Sequence, residues 1–248
     1  MGIIRYLLTP VLLVTLWSAG WIFAGDVLVP SPHSVLFRLI SIMTDGESLG
    51  NIAATVFRGV FSLIITYAVS LPLGILCGLN KKIMESISPV VTLSQSCPPV
   101  IWIALLMIWT GLGNTVPIAV AILTIMPVVF FSTASAVSSI DRDLYSVTKV
   151  YRIKKTGIFT GIIIPAILPS LTGSISYSLG VVWKVVATAE FFGSADGIGA
   201  RLYWSFRMLD IPGLFAWALV IIIIGFLIDT VLIRVIRERI RNFMDGSK

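Results

Sequence analysis

Residues 140–169 read IDRDLYSVTKVYRIKKTGIFTGIIIPAILP. The first half carries Asp141, Arg142, Asp143, Lys149, Arg152, Lys154 and Lys155, whereas the second half is almost wholly apolar and holds Pro165 and Pro169. A charged stretch that runs straight into an apolar one marks the boundary between water and hydrocarbon. The segment before it, residues 116–137, is apolar as well and contains Pro117 and Pro127. Residues 140–157 are thus expected to be a polar connection between two membrane spans. Its first part suits a short helix parallel to the membrane, a lever that a soluble partner pushes and that carries the motion into the spans at each end. On charge alone the plainer reading, a solvated loop whose charges only obey topology, is preferred.

The rest of the chain has the same apolar character. Of 248 residues, 57% are hydrophobic and 12% charged, about half the charged share of an ordinary globular domain. Mean hydropathy is +1.00. These values exclude a soluble protein, and the length leaves little room for a fused catalytic module. Apolar runs predict six spans: residues 6–24, 52–79, 89–109, 116–137, a fifth led by 158–164 with its main body at 167–187, and 214–233. The first is expected to be retained, because Trp21-Ile22-Phe23-Ala24-Gly25 lacks a small-x-small cleavage pattern. Pro30-Ser31-Pro32 followed by Val35, Leu36, Leu39, Ile40 and Met43 predicts a short amphipathic helix, capped by Ser31 and lying on the outer membrane surface. Residues 193–213 are expected to form a long outer connection. No repeat stands out, so residues 1–248 form one transmembrane domain with its core at 52–233.

Net charge is +6, and in so apolar a chain basic residues orient the protein in a bilayer rather than bind nucleic acid. Arg5, Lys81-Lys82, the 140–157 connection and the tail from Arg234 to Lys248 place thirteen basic residues on one side, against Arg38, Arg201 and Arg207 on the other. Both termini are therefore expected in the cytoplasm, with the chain multi-pass in the cell's inner membrane. Arg58 and Lys184 remain inside spans.

Groups for catalysis are missing. There is no Gly-x-x-x-x-Gly-Lys-Ser/Thr loop, the single histidine, His33, sits in a predicted loop, and Cys77 and Cys97 read as reduced packing residues. No metal-ligand spacing is present, so no catalytic or metal residue is assigned and an enzyme is a poor reading. Proline-broken, Ser- and Gly-rich spans suggest a transporter instead. Ser94, Gln95 and Ser96 before Pro98-Pro99 are candidate path residues, as are Ser174, Tyr177 and Lys184, whose spacing of three and seven allows one helical face. Helix packing explains the serines equally well. Lys184 either faces a cavity, where it suits an anionic substrate, or pairs with Glu190 or another acid. Arg58, Glu190 and Asp229 are candidates for structural ion pairs, Asp229 with a basic cytoplasmic residue. A stand-alone secondary transporter or channel is the alternative, although that class often shows internal repeats and ion-coupling carboxylates.

Several motifs in order resemble the permease subunit of a binding-protein-dependent ABC importer, within the nitrate/sulfonate/taurine branch. They are Pro30-Ser31-Pro32, Thr55-Val56-Phe57-Arg58, Pro98-Pro99-Val100-Ile101-Trp102 with Trp109-Thr110-Gly111-Leu112-Gly113, Ile162-Ile163-Ile164-Pro165 with Leu168-Pro169, Val186-Ala187-Thr188-Ala189-Glu190, Gly197-Ile198-Gly199, and Gly225 with Asp229. The resemblance implies an all-α type I importer permease with about six transmembrane helices and a cytoplasmic coupling helix between spans four and five. It implies a second permease subunit, identical or related, an ABC ATPase dimer that holds ATP and Mg, an extracytoplasmic binding protein, and no cofactor in this chain. The substrate it implies is a small anion such as a sulfonate, nitrate or bicarbonate, or a vitamin precursor. The family's coupling signature has Glu-Ala-Ala, then a glycine, then an apolar group ending in proline. Anchored on Ile162 and Pro165, it assigns Ser146-Val147-Thr148 and Arg152 to the first two places, with Asp141, Asp143, Lys154 and Lys155 alongside as ATPase-coupling residues. Arginine adopts a left-handed turn less cheaply than glycine, so the turn is expected to differ or to be displaced.

Overall fold

The computed structural model describes residues 2–141, 143–144, 148 and 150–245, with residues 2–10, 229 and 231–245 described by backbone alone. Helix α1, Gly2–Ala24, is followed by α2, Pro32–Thr44, and the long α3, Gly46–Leu79. Two shorter helices, α4 at Lys81–Ser96 and α5 at Pro99–Thr110, precede α6 at Thr115–Ser138. Helix α7, Lys155–Gly193, contains a π turn at Phe159–Ile163. Helices α8, Ile198–Arg207, and α9, Ile211–Asp245, complete the described chain. The six predicted apolar spans correspond to α1, α3, the α4–α5 pair, α6, α7 and α9.

Local chemistry sets the boundaries. The Ser31 hydroxyl accepts from the Ser34 amide at 3.2 Å, and Pro32 occupies the first helical turn of α2. Asp45 caps α3 through the Ser48 amide at 2.8 Å, and hydrogen bonds from the Ser48 side chain and then its amide hold the Asp45 carboxyl below the ordinary carboxylate range. The predicted third span begins earlier and is broken: α4 and α5 meet at 96°. Each proline of Pro98-Pro99 disfavours helical geometry in the residue before it, and both Cys97 (ψ 125°) and Pro98 (ψ 138°) are extended.

Helix α3 packs on α6 through small residues four apart, namely Ser62, Thr66, Ser70, Gly74 and Gly78. A Cβ at Gly74 would lie 2.9 Å from the Phe130 carbonyl oxygen, and one at Gly78 2.7 Å from that of Ala134. Without a hydrophobic drive between helices in lipid, such close backbone approach supplies the attraction. Ala121, Ile125 and Val129 of α6 then pack on Val182, Trp183 and Val186 of α7.

Helix α2 differs in part from its sequence reading. Val35 and Ile42 are buried against Ile198 of α8 and Ala216, Trp217 and Val220 of α9. Leu36, Ile40 and Met43 stay exposed. The apolar residues thus serve two faces, one docked on the protein. The 193–213 connection is also more ordered than expected, because Ile198, Leu202 and Ser205 turn α8 into the same cluster or its edge.

Candidate functional site

Arg58 projects from α3 and is completely buried. All five of its N–H groups are used. Nε and Nη2 donate to Asn114 Oδ1 at 2.8 and 2.5 Å. Nη1 donates to Glu190 Oε1 at 2.7 Å and to the Asp196 carbonyl at 2.9 Å, and Nη2 also reaches Asp196 Oδ1 at 2.5 Å. Glu190, on α7 and equally buried, accepts through Oε2 from the Thr55 hydroxyl at 2.8 Å and the Gly199 amide at 3.0 Å. Asn51 and Thr55 accept the Gly197 and Ile198 amides, each at 2.8 Å. Gly197 (φ +102°) and Gly199 form a backbone cradle: a Cβ on Gly197 would lie 2.5 Å from Glu190 Oε1, and one on Gly199 would meet the Ala187 carbonyl oxygen. The cluster fastens α3, the α5–α6 turn, the end of α7 and the turn into α8 to one another.

Neither central charge is free for chemistry. Asp196 lies in the α7–α8 turn, where desolvation raises its pKa but the Arg58 guanidinium outweighs this and holds the carboxyl below its ordinary range. Arg58 and Glu190 are therefore an ion pair with each other. Glu190 is not the partner of Lys184: the Lys184 side chain lies on the exposed face of α7, while both Glu190 oxygens are occupied by other donors. No group of three His, Cys, Asp or Glu fit to hold a metal occurs among the described residues.

The opposite end of the bundle carries the 140–157 connection. Asp143, Leu144, Thr148 and Val150 have helical backbone; Ser146 and Val147, like Arg142 and Lys149, lie outside the described residues. Arg152 has φ +50°, and the Ile153 amide donates to the Thr148 carbonyl at 2.9 Å. A left-handed residue followed by this six-to-one bond is a Schellman stop for a helix. The expectation that the turn differs or is displaced is thus overturned, because Arg152 takes the left-handed conformation itself. Ile153 folds back so that a Cβ on Gly157 would lie 2.9 Å from its Cγ2. Asp141, Asp143, Arg152, Lys154 and Lys155 are exposed, while Thr148 is buried. Arg152→Gly is expected to stabilise this turn by about 1 kcal/mol, slowing hydrogen exchange of the Ile153 amide about fivefold; faster exchange would show that the arginine side chain holds the turn.

Residues 70–242 match the family described as binding-protein-dependent transport system inner membrane component. The chain belongs to this family. The permease is 28% identical over 216 residues to a probable ABC transporter permease protein of Brucella melitensis, covering 86% of this chain and 88% of that one. It is 25% identical to the taurine transport system permease protein of Escherichia coli, covering 88% of this chain and 82% of that one. Sulfonate and nitrate permeases are among its other relatives, which places it in the nitrate/sulfonate/taurine branch. Its fold is that of a permease of the inward-facing MetNI methionine ABC transporter, with a TM-score of 0.66 at 18% identity over 77% of this chain and 94% of that one. The permease is accordingly a multi-pass inner-membrane subunit of an ABC importer.

Within the permease, the candidate path residues do not share one surface. Ser174 is buried and donates to the Leu171 carbonyl at 3.1 Å, whereas Tyr177 and Lys184 are exposed. A helical step of three turns a side chain about 60° away, enough here to put Ser174 on the packed face. Ser94 is half-buried and bonds the Val91 carbonyl, and Gln95 and Ser96 are exposed at the α4–α5 bend. Asp229 lies on α9 with its side chain outside the described residues. Sequence reasoning missed Asn51, Asn114 and Asp196, whose only signal was that they are polar residues in the connections between predicted spans.

Proposed function

We propose that this permease lines the substrate path of an ATP-driven importer and couples it, through residues 140–157, to a separate cytoplasmic ATPase. One observation carries the coupling: Leu144, Val150 and Tyr151 are 48%, 79% and 76% exposed beside Asp141, Asp143, Lys154 and Lys155. A solvated loop that merely obeys topology has no use for large exposed apolar groups, whereas a contact surface does. Both termini and this surface face the cytoplasm, and two permease subunits, identical or related, enclose the path. ATP and Mg belong to the ATPase dimer, and an extracytoplasmic binding protein delivers the substrate, a small organic or inorganic anion or a vitamin precursor. ATP binding and the loaded binding protein bias the same inward-to-outward equilibrium. The whole chain acts as a single transmembrane domain.

Exposed Val150 and Tyr151 are cheap to change. The double variant Val150→Asp/Tyr151→Ala is expected to insert normally and to lose at least about tenfold of the co-purifying ATPase, a deficit of roughly 1.4 kcal/mol or more in docking. ATPase recovery at the unmodified level would remove this surface from the coupling role.

A further inference from the structure

A cleft of about 450 Å³ opens where α2 and the start of α3 face α8 and the turn into α9, lined by Arg38, Asp45, Arg201, Ser205, Asp210 and Trp217 among others. Two ion pairs tie its walls together. Arg38 Nη2 donates to Asp210 Oδ2 at 2.7 Å, and Arg201 Nη2 donates to Glu47 Oε1 in the first turn of α3. Two further donors on the walls are idle. Trp217 is 6% and Ser205 9% exposed, and among the described residues neither the indole N–H nor the hydroxyl has a hydrogen-bond partner. Unlike the Trp183 nitrogen, which is sealed inside the bundle, both polar atoms keep access to solvent. Side chains so nearly buried are seldom left without a partner.

The wall carboxylates are better supplied: Asp45 accepts the Ser48 amide, and Asp210 accepts the Gly213 amide at 3.0 Å as well as Arg38. Each arginine uses one of its five N–H groups on protein. The spare capacity of the cleft is therefore chiefly donor and cationic, and its complement is a carboxylate. Its rim is apolar. Trp204 and Met208 are exposed on it, next to exposed Leu209. The Asp210 amide donates to the Ser205 carbonyl at 2.9 Å, so Leu209 (φ +56°) ends α8 in the left-handed place where glycine is usual. Large apolar side chains around a polar seat are the makings of a protein contact.

The cleft looks into water and not into lipid. On α2, Arg38, Ser41, Ile42 and Asp45 turn toward it, whereas Leu36, Ile40 and Met43 are exposed on nearly the opposite side at about 100° per residue, and the apolar side is the one that meets the bilayer. With both termini in the cytoplasm, that water is extracytoplasmic. We propose that the cleft seats a carboxylate of the extracytoplasmic binding protein, which displaces Glu47 from Arg201 as it docks. The identity of the partner rests on the importer reading above; the donor character of the cleft does not. Glu47 suits the part of an internal stand-in, because its side chain is 75% exposed against 32% for Arg201, and an exposed ion pair is held weakly. A carboxylate shared by Arg201, Ser205 and Trp217 under a covering partner is held by more and stronger bonds.

The assembled importer in phosphatidylcholine nanodiscs, titrated with its own binding protein, tests the seat by the dissociation constant. Arg201→Gln is expected to weaken docking at least about tenfold and Ser205→Ala about threefold. Glu47→Gln, which frees Arg201, is expected to tighten docking about threefold. Arg207→Gln removes a cation of α8 that lies outside the cleft and is expected to change docking less than about twofold. Glu47 is exposed, so its variant folds whatever the fate of Arg201→Gln, and its sign decides. Weaker or unchanged docking in Glu47→Gln, or unchanged docking in Arg201→Gln, overturns the proposal and leaves the importer reading standing. A binding protein that fails to dock on the unmodified importer overturns both. A phospholipid that stays on the unmodified chain in native mass spectrometry and is lost from Arg201→Gln makes a lipid headgroup the occupant, which also overturns the proposal.

Discussion

Arg58→Met is expected to prevent stable folding of the permease in membranes. The substitution removes five donors at once and leaves Glu190, fully buried, facing only the Thr55 hydroxyl and the Gly199 amide. Removing one partner of a buried ion pair costs about 3–5 kcal/mol, because the other charge is left uncompensated. That is a large part of the total stability of a typical domain, about 5–15 kcal/mol. The check is the unfolding midpoint of the detergent-solubilised chain, or its yield as a monodisperse species. Adding Glu190→Leu should return part of the loss, since an apolar pair carries no stranded charge. The recovery is expected to be incomplete, because the Gly199 amide then lacks its acceptor. A single Arg58→Met variant that unfolds like the unmodified chain would mean that water, not protein, compensates these charges.

Gly199→Ala is expected to be nearly as damaging, although it adds one methyl group. The new Cβ would overlap the Ala187 carbonyl oxygen and lie 2.6 Å from Glu190 Cβ and 2.8 Å from the Phe191 nitrogen. Two of those three atoms are backbone of α7 and cannot rotate aside, so α8 must move away and break the bond from the Gly199 amide to Glu190. Overpacking and the unmade hydrogen bond together amount to roughly 3 kcal/mol. Gly50→Ala is the control. It meets nothing within 4 Å and lies inside α3, so it should be neutral or stabilise by up to about 1 kcal/mol. Equal midpoints for the two variants would show that the Gly197–Gly199 turn yields to a side chain without cost.

The spans were legible because hydrocarbon imposes a length and an apolar composition that survive in any order of residues. The cap at Ser31 was legible for a similar reason, since capping is local in sequence. Pairings across the bundle were not. Arg58 and Glu190 stand out as charges in apolar runs, yet Lys184, six residues before Glu190, is as good a partner on paper; only helix packing brings together residues 132 apart. Arg152 illustrates the opposite failure. Its side chain argues against a left-handed turn, but the Ile153–Thr148 bond and the contact of Ile153 with Gly157 fix the backbone there. Contacts within the turn outweigh an intrinsic preference of about 1–2 kcal/mol. Helix α8 escaped notice because ten residues offer too few repeats for a period to show.

The π turn at Phe159–Ile163 acts as a setting of azimuth. Such a turn holds one residue more than an α turn, and one residue of helix corresponds to about 100° of rotation. Everything upstream of it therefore leaves α7 at a compass bearing that a uniform α-helix of the same sequence would not have. Deleting any single residue within 159–163 would restore a regular helix with the 140–157 connection at its present bearing, whereas closing the π turn into an α turn without a deletion would swing that connection by about 100° to a different quarter of the bundle.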